Sequence, residues 1–117
     1  MTENIMIIGG HGKVALRAEP LLADAGHHVT AMIRNPQQQE DVKAAGATPL
    51  VLDIEHATRE QLVDAFTGMD AIVWSAGAGG GTTAERTYAV DRDAAILSMQ
   101  AAAEAGVKRY VLSLIHI

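Results

Sequence analysis

The sequence predicts an α/β fold, a doubly wound parallel sheet of five strands covered by four helices. Short apolar runs alternate with amphipathic segments along the whole chain, the rhythm of strands joined by crossover helices. The first run, Asn4 to Ile8, is nearly all apolar, as expected of a strand covered on both faces. It breaks at Gly9, and a helical pattern follows at once.

That pattern sets Val14, Ala15, Ala18, Leu21, Leu22 and Ala25 at helical spacing, so the first helix is expected from Gly12 to Ala25, with Gly26 as its stop. Pro20 lies inside it and should remove one backbone hydrogen bond. His28 to Ile33 reads as the second strand. Asn35 and Pro36 then supply an N-cap and a proline at the first helical position of a short helix ending near Ala45. The third strand, Thr48 to Leu52, leads through Asp53 to Thr58 and Gln61, whose spacing fits a capping box opening a helix that ends near Gly68. Ala71 to Trp74 forms the fourth strand. A glycine-rich stretch to Gly81 precedes a long helix from Ala84 to Ala105, and the fifth strand begins near Arg109.

At 117 residues and 49% hydrophobic composition, the chain can bury one core, and it reads as a single domain over residues 1–117. Nine basic against 14 acidic side chains give a net charge of −5, the wrong sign for nucleic acid or anionic lipid. The absence of cysteine excludes disulfides, thiolate metal sites and thiol catalysis, and no other metal site is read. The N-terminus has an acidic residue where a signal peptide needs positive charge, and no apolar run reaches the ~20 residues that span a bilayer, so a cytoplasmic protein is expected.

The chemistry concentrates at Gly9-Gly10-His11-Gly12-Lys13-Val14-Ala15, a Gly-x-x-Gly-x-x-Ala turn between a buried strand and a helix. Gly9 permits the tight turn, Gly12 lets the backbone approach a pyrophosphate, and Ala15 lets the helix pack closely on the sheet. Free amides at the helix start, aided by its dipole, would hold the phosphates of a dinucleotide in a Rossmann-type site. A phosphate-transferring Walker loop is excluded, because it needs Ser or Thr where Val14 stands and glycine where Ile7 stands. Lys13 either approaches a phosphate or is a solvated surface residue. His11 is expected to contact ligand or water through its backbone.

An NAD-binding domain usually ends its second strand in an acid that accepts from the ribose hydroxyls. Here the residues are Met32-Ile33-Arg34-Asn35, with no carboxylate. Arg34 offers a planar charged donor fork suited to the extra phosphate of NADP, so NADP(H) is favoured over NAD(H); the alternative is a solvent-facing arginine beside a cap. Asp53 can accept from the adenine amino group with Ile54 against the ring, or be an ordinary loop carboxylate. An aspartate after the third strand also suits a phosphoacceptor domain, but that needs an acidic pair after the first strand, where this chain has glycines. Ala76, Gly77 and Ala78 follow the fourth strand at the edge where open α/β sheets bind ligands, and are small enough for a ribose and nicotinamide to lie against the backbone. The charged residues Glu85, Arg86, Asp91 and Arg92 read as solvated or paired.

Taken together, Gly-Gly-His-Gly-Lys-Val, Ala-Met-Ile-Arg-Asn-Pro, Leu-Asp53, Trp-Ser-Ala-Gly-Ala and Ala-Gly-Val-Lys-Arg-Tyr-Val-Leu resemble the atypical short-chain dehydrogenase/reductases, specifically the NAD(P)H-binding and NmrA-like group, over Asn4 to Leu112. The resemblance implies pyrophosphate binding at the glycine turn, a 2′-phosphate contact at Arg34, an adenine contact at Asp53 and a ribose contact at Ala76 to Ala78. Reducing members often carry Tyr-x-x-x-Lys beyond the fifth strand. This sequence has no such spacing; Tyr88 is followed four places later by Arg92.

The resemblance also implies further strands, helices and a substrate region, so the sheet is expected to be an incomplete, C-terminally truncated one. Residues 112–117, Leu-Ser-Leu-Ile-His-Ile, match one reading frame of a common sequencing adaptor and are expected to be a non-native tail. Two functions follow: an NADP(H)-dependent oxidoreductase acting on a small molecule, or a non-catalytic NmrA-like dinucleotide sensor.

Overall fold

The computed structural model describes residues 2–9, 13–54, 56–75 and 84–112, and among these the side chains of all but 13, 14, 84–91 and 112. Five strands, β1 (Asn4–Ile8), β2 (His28–Ile33), β3 (Thr48–Val51), β4 (Ala71–Trp74) and β5 (Arg109–Leu112), form one sheet in the order β3-β2-β1-β4-β5. Every pairing is parallel. Four α-helices connect them: α1 (Lys13–Asp24), α2 (Gln39–Ala44), α3 (Arg59–Phe66) and α4 (Ala84–Glu104). This is the doubly wound Rossmann arrangement, and the strand order reverses between β1 and β4.

Side-chain alternation along the strands builds two cores. Met6, Ile8, Met32, Ile72 and Trp74 point to one face and meet Leu62 and Phe66 of α3 and Ala94, Ala101 and Ala102 of α4. Ile5, Ile7, Val29, Ala31, Ile33 and Ala71 point to the other and meet Ala15 of α1 and Val42 of α2. β1 is therefore apolar on both faces because both are covered. Pro49, which has no amide to give a ladder, sits in β3 at the sheet edge.

The helix ends follow local chemistry. The Asn35 side chain accepts from the Gln37 amide at 2.9 Å and opens a 3₁₀ turn, Pro36–Gln38, that runs directly into α2. At α3, the Gln61 amide donates to Thr58 Oγ1 at 3.1 Å and the Thr58 amide donates to Gln61 Oε1 at 2.9 Å, the expected capping box. α1, α2 and α4 share one stop. Gly26, Gly46 and Gly106 take positive φ (92°, 94° and 81°), which frees the next amide to reach back to a carbonyl in the last turn, as His27 does to Leu22 at 3.1 Å.

One expectation about α1 fails. Leu21, assigned to its apolar stripe, is 72% exposed, whereas Glu19 is fully buried. At ~100° per residue, Ala15, Glu19 and Leu22 share one face and Leu21 falls well outside it.

Candidate cofactor site

The carboxyl ends of four strands step across the sheet through backbone hydrogen bonds. Ser75 N–H donates to Ile8 O at 2.8 Å, Gly9 N–H to Met32 O at 3.0 Å, and Leu52 N–H to Ile33 O at 2.9 Å. The residues that leave this ledge are Gly9 from β1, Arg34 from β2, Asp53 from the end of β3 and Ser75 from β4. Four sequence positions far apart thus share one edge, beside the point where strand order reverses.

Gly9 has φ 83°, a left-handed conformation in which a Cβ would be strained. It turns the chain off a buried strand just ahead of α1, whose first turn carries no acidic residue, leaving the positive end of the helix dipole uncancelled. A left-handed glycine at the strand end and an unopposed helix start fit a bound pyrophosphate. Gly10, His11 and Gly12 lie outside the described residues, as do Ala76, Gly77 and Ala78, and for Lys13 and Val14 only the backbone is described.

Arg34 is exposed and makes no hydrogen bond or ion pair among the described residues, immediately before the Asn35 cap. Asp53 is half-buried, and its Oδ2 lies 2.8 Å from Nδ1 of His56. The His56 amide also donates to the Asp53 carbonyl at 3.1 Å, closing a tight turn after β3. Ile54 is half-buried and packs against the α3/α4 core beside Leu50 and Leu52, which leaves only part of its side chain available to a ligand.

Two groups escaped the sequence reading. His56 gave no signal, because its partnership depends on the turn that brings it back to Asp53. Glu19 had one, its place a helical turn after Ala15. Both its carboxylate oxygens are buried without a hydrogen-bond partner among the described residues, and burial pushes the carboxyl up to about 7. At the opposite end of the sheet, Arg109 pairs with Glu3, and the Asn4 amide donates to Asp70 Oδ2 at 2.8 Å, tying β5 and β4 to the start of β1.

The topology and the edge it presents define a nicotinamide-dinucleotide-binding domain of Rossmann type. The chain belongs to the NAD(P)H-binding family, matching it over residues 9–116. An uncharacterized sugar epimerase of Bacillus subtilis is 36% identical over 109 residues, 92% of this chain and 50% of that protein. A UPF0659 protein of Schizosaccharomyces pombe is 35% identical over 109 residues, 92% of this chain and 44% of that one. Among solved structures, a Bacillus halodurans protein assigned to the NAD-dependent epimerase/dehydratases superposes with a TM-score of 0.82 at 32% identity, covering 94% of this chain and 50% of that one. A UDP-glucose 4-epimerase of Bifidobacterium longum, in complex with NAD+ and UDP, gives 0.77 at 18% identity over 94% of this chain and 36% of that one, a likeness of fold alone. The chain spans about half the length of the curated relatives it matches, 50% and 44% of these two. These findings agree with the atypical short-chain dehydrogenase/reductase motifs in the sequence. No helix among the described residues is long and apolar enough to cross a membrane.

Proposed function

We propose that this chain is the cofactor-binding part of an NADP(H)-dependent oxidoreductase, with Arg34 as the residue that selects the phosphorylated dinucleotide. The observation that carries the reading is the exposed guanidinium of Arg34 at the carboxyl end of β2, where an NAD-selecting carboxylate would otherwise stand. In this reading the Gly9 turn and the first amides of α1 hold the pyrophosphate, Arg34 binds the 2′-phosphate, and Asp53 accepts from the adenine amino group. A bound nicotinamide supplies or accepts hydride, while the protein orients it and selects the substrate. The Bacillus halodurans neighbour is assigned as NAD-dependent, so cofactor choice in this chain rests on Arg34 alone.

A second reading is a dinucleotide sensor without catalysis, as in the NmrA-like group that the sequence motifs resemble. Substrate-free binding is common to both readings, so cofactor choice is tested first.

Calorimetric titration of the full-length protein with NADPH and NADH, in parallel with Arg34→Ala, is the test. A charged hydrogen-bonding contact contributes ~1.5–3 kcal/mol, so the variant is expected to lose about 10- to 100-fold in NADPH affinity and to bind NADH unchanged. Equal affinity of the unaltered protein for both nucleotides removes Arg34 from cofactor choice. Binding of neither removes the functional reading altogether. Turnover of any carbonyl substrate with NADPH then separates oxidoreductase from sensor.

A further inference from the structure

The geometry points to His56 as a positioning residue for cofactor recognition, holding the Asp53 carboxylate in the orientation that selects adenine. The inference rests on the reading in which Asp53 meets the adenine amino group, and adds a residue that no sequence motif marks.

The argument begins with the hydrogen bond. Asp53 Oδ2 and His56 Nδ1 are 2.8 Å apart, and an ionised carboxylate only accepts, so Nδ1 carries the proton. Neutral imidazole in that tautomer and imidazolium donate equally well in geometry, so the contact does not require a charged ring. The backbone fixes both ends of this pair. Asp53 follows Leu52, whose amide is bound to Ile33 O at 2.9 Å, and the His56 amide is bound to the Asp53 carbonyl at 3.1 Å. Directly after His56, Ala57 is buried and Thr58 caps α3. The backbone that carries the pair is therefore anchored by the sheet edge before it and by the helix start after it.

Such a contact does little for stability. The His56 side chain is 80% exposed and that of Asp53 30%, and ion pairs this open to water contribute ~0–1 kcal/mol. Its effect is on orientation. A carboxylate on a free torsion meets a ligand in many poses, whereas one braced by a neighbouring N–H has lost that freedom before the ligand arrives. A braced carboxylate accepts from the exocyclic amine of adenine and repels the carbonyl oxygen that hypoxanthine carries at the same place. The readout is thus a ratio of affinities for two dinucleotides that differ at one ring substituent.

The experiment titrates full-length protein, His56→Ala, His56→Asn and Asp53→Ala with NADPH and with its hypoxanthine analogue. The unaltered protein is expected to favour the adenine form by about 10-fold, from one hydrogen bond to a charged acceptor. His56→Ala should cut that preference by about 3-fold or more through weaker binding of the adenine form. His56→Asn, whose Nδ2 can donate from nearly the position of Nδ1, should restore it. The NADPH to NADH ratio set at Arg34 should stay constant in both, as should the melting temperature. A preference that survives His56→Ala overturns this inference and leaves the adenine reading of Asp53 intact. A preference missing from the unaltered protein, or surviving Asp53→Ala, overturns that reading and this inference with it.

Discussion

Glu19 sits one helical turn beyond Ala15 on the face of α1 that meets the sheet, so a carboxyl without a hydrogen-bond partner among the described residues is fully buried beside an apolar core. Burial raises its pKa from 4.5 to about 7 because the interior disfavours the charged form. The native state therefore binds more protons than the unfolded state between these values. Stability should be greatest below pH 4.5 as far as this group is concerned, fall as pH rises towards 7, and level off above it. At 1.36 kcal/mol per unit, the loss is at most about 3 kcal/mol. Urea melts of the protein and of Glu19→Gln at pH 5 and pH 8 isolate it. The variant should match the parent at pH 5 and exceed it at pH 8. A pH-independent difference between them would show that Glu19 titrates normally.

Gly9→Ala should be costly in two ways. Its φ of 83° is unfavourable for an L-residue by ~1–2 kcal/mol, so the melting midpoint should fall accordingly. Gly9 also opens the proposed pyrophosphate site, so NADPH affinity should fall as well. A variant that melts lower but binds normally would dissociate the turn from the cofactor site.

The capping box at α3 gives a local prediction. Thr58→Ala removes the acceptor for the Gln61 amide and should cost ~1 kcal/mol; Thr58→Asp should retain most of the stability. Because α3 packs on α4, with Arg59 Nε 2.8 Å from Glu104 Oε2, fraying should also raise hydrogen exchange in the last turns of α4.

Ser98 and Tyr110 test the joint between α4 and β5. Ser98 Oγ donates to Ala95 O at 2.8 Å, which spends its single proton, so the Tyr110 hydroxyl must donate to Ser98. Tyr110→Phe should cost ~1 kcal/mol, and Ser98→Ala somewhat more because it leaves the half-buried Tyr110 hydroxyl without its acceptor. The double variant should cost less than the sum, as measured by denaturant melts in a double-mutant cycle.

Much of this architecture was legible in the residues. The run Ile5 to Ile8 announced a strand covered on both faces, the Thr58 and Gln61 spacing announced the cap of α3, and Asn35-Pro36 announced a helical start. Those signals are local, and local rules decide them. Leu21 misled because hydrophobicity was read without its angle around the helix, and Glu19 was passed over for the converse reason. At the site, Gly9, Arg34 and Asp53 could be nominated from their places after strands, since a parallel sheet delivers its strand ends to one edge. The link from Asp53 to His56 could not. It arises from a turn whose closure no periodicity encodes.

The stepped hydrogen bonds along the carboxyl edge make register the hidden tolerance of this domain. Gly9, Arg34 and Asp53 never touch in sequence, and their alignment depends on Ile7 facing Ala31 and Ile33 facing Val51. Deleting one residue inside β2 would draw Arg34 back by ~3.3 Å and swap the β2 side chains that follow the deletion between the two cores. Lengthening the turns at Gly26 or Gly46, at the opposite edge, changes neither alignment. Natural and engineered variation should therefore accumulate as insertions on the amino side of the sheet, and along the strands only as substitutions.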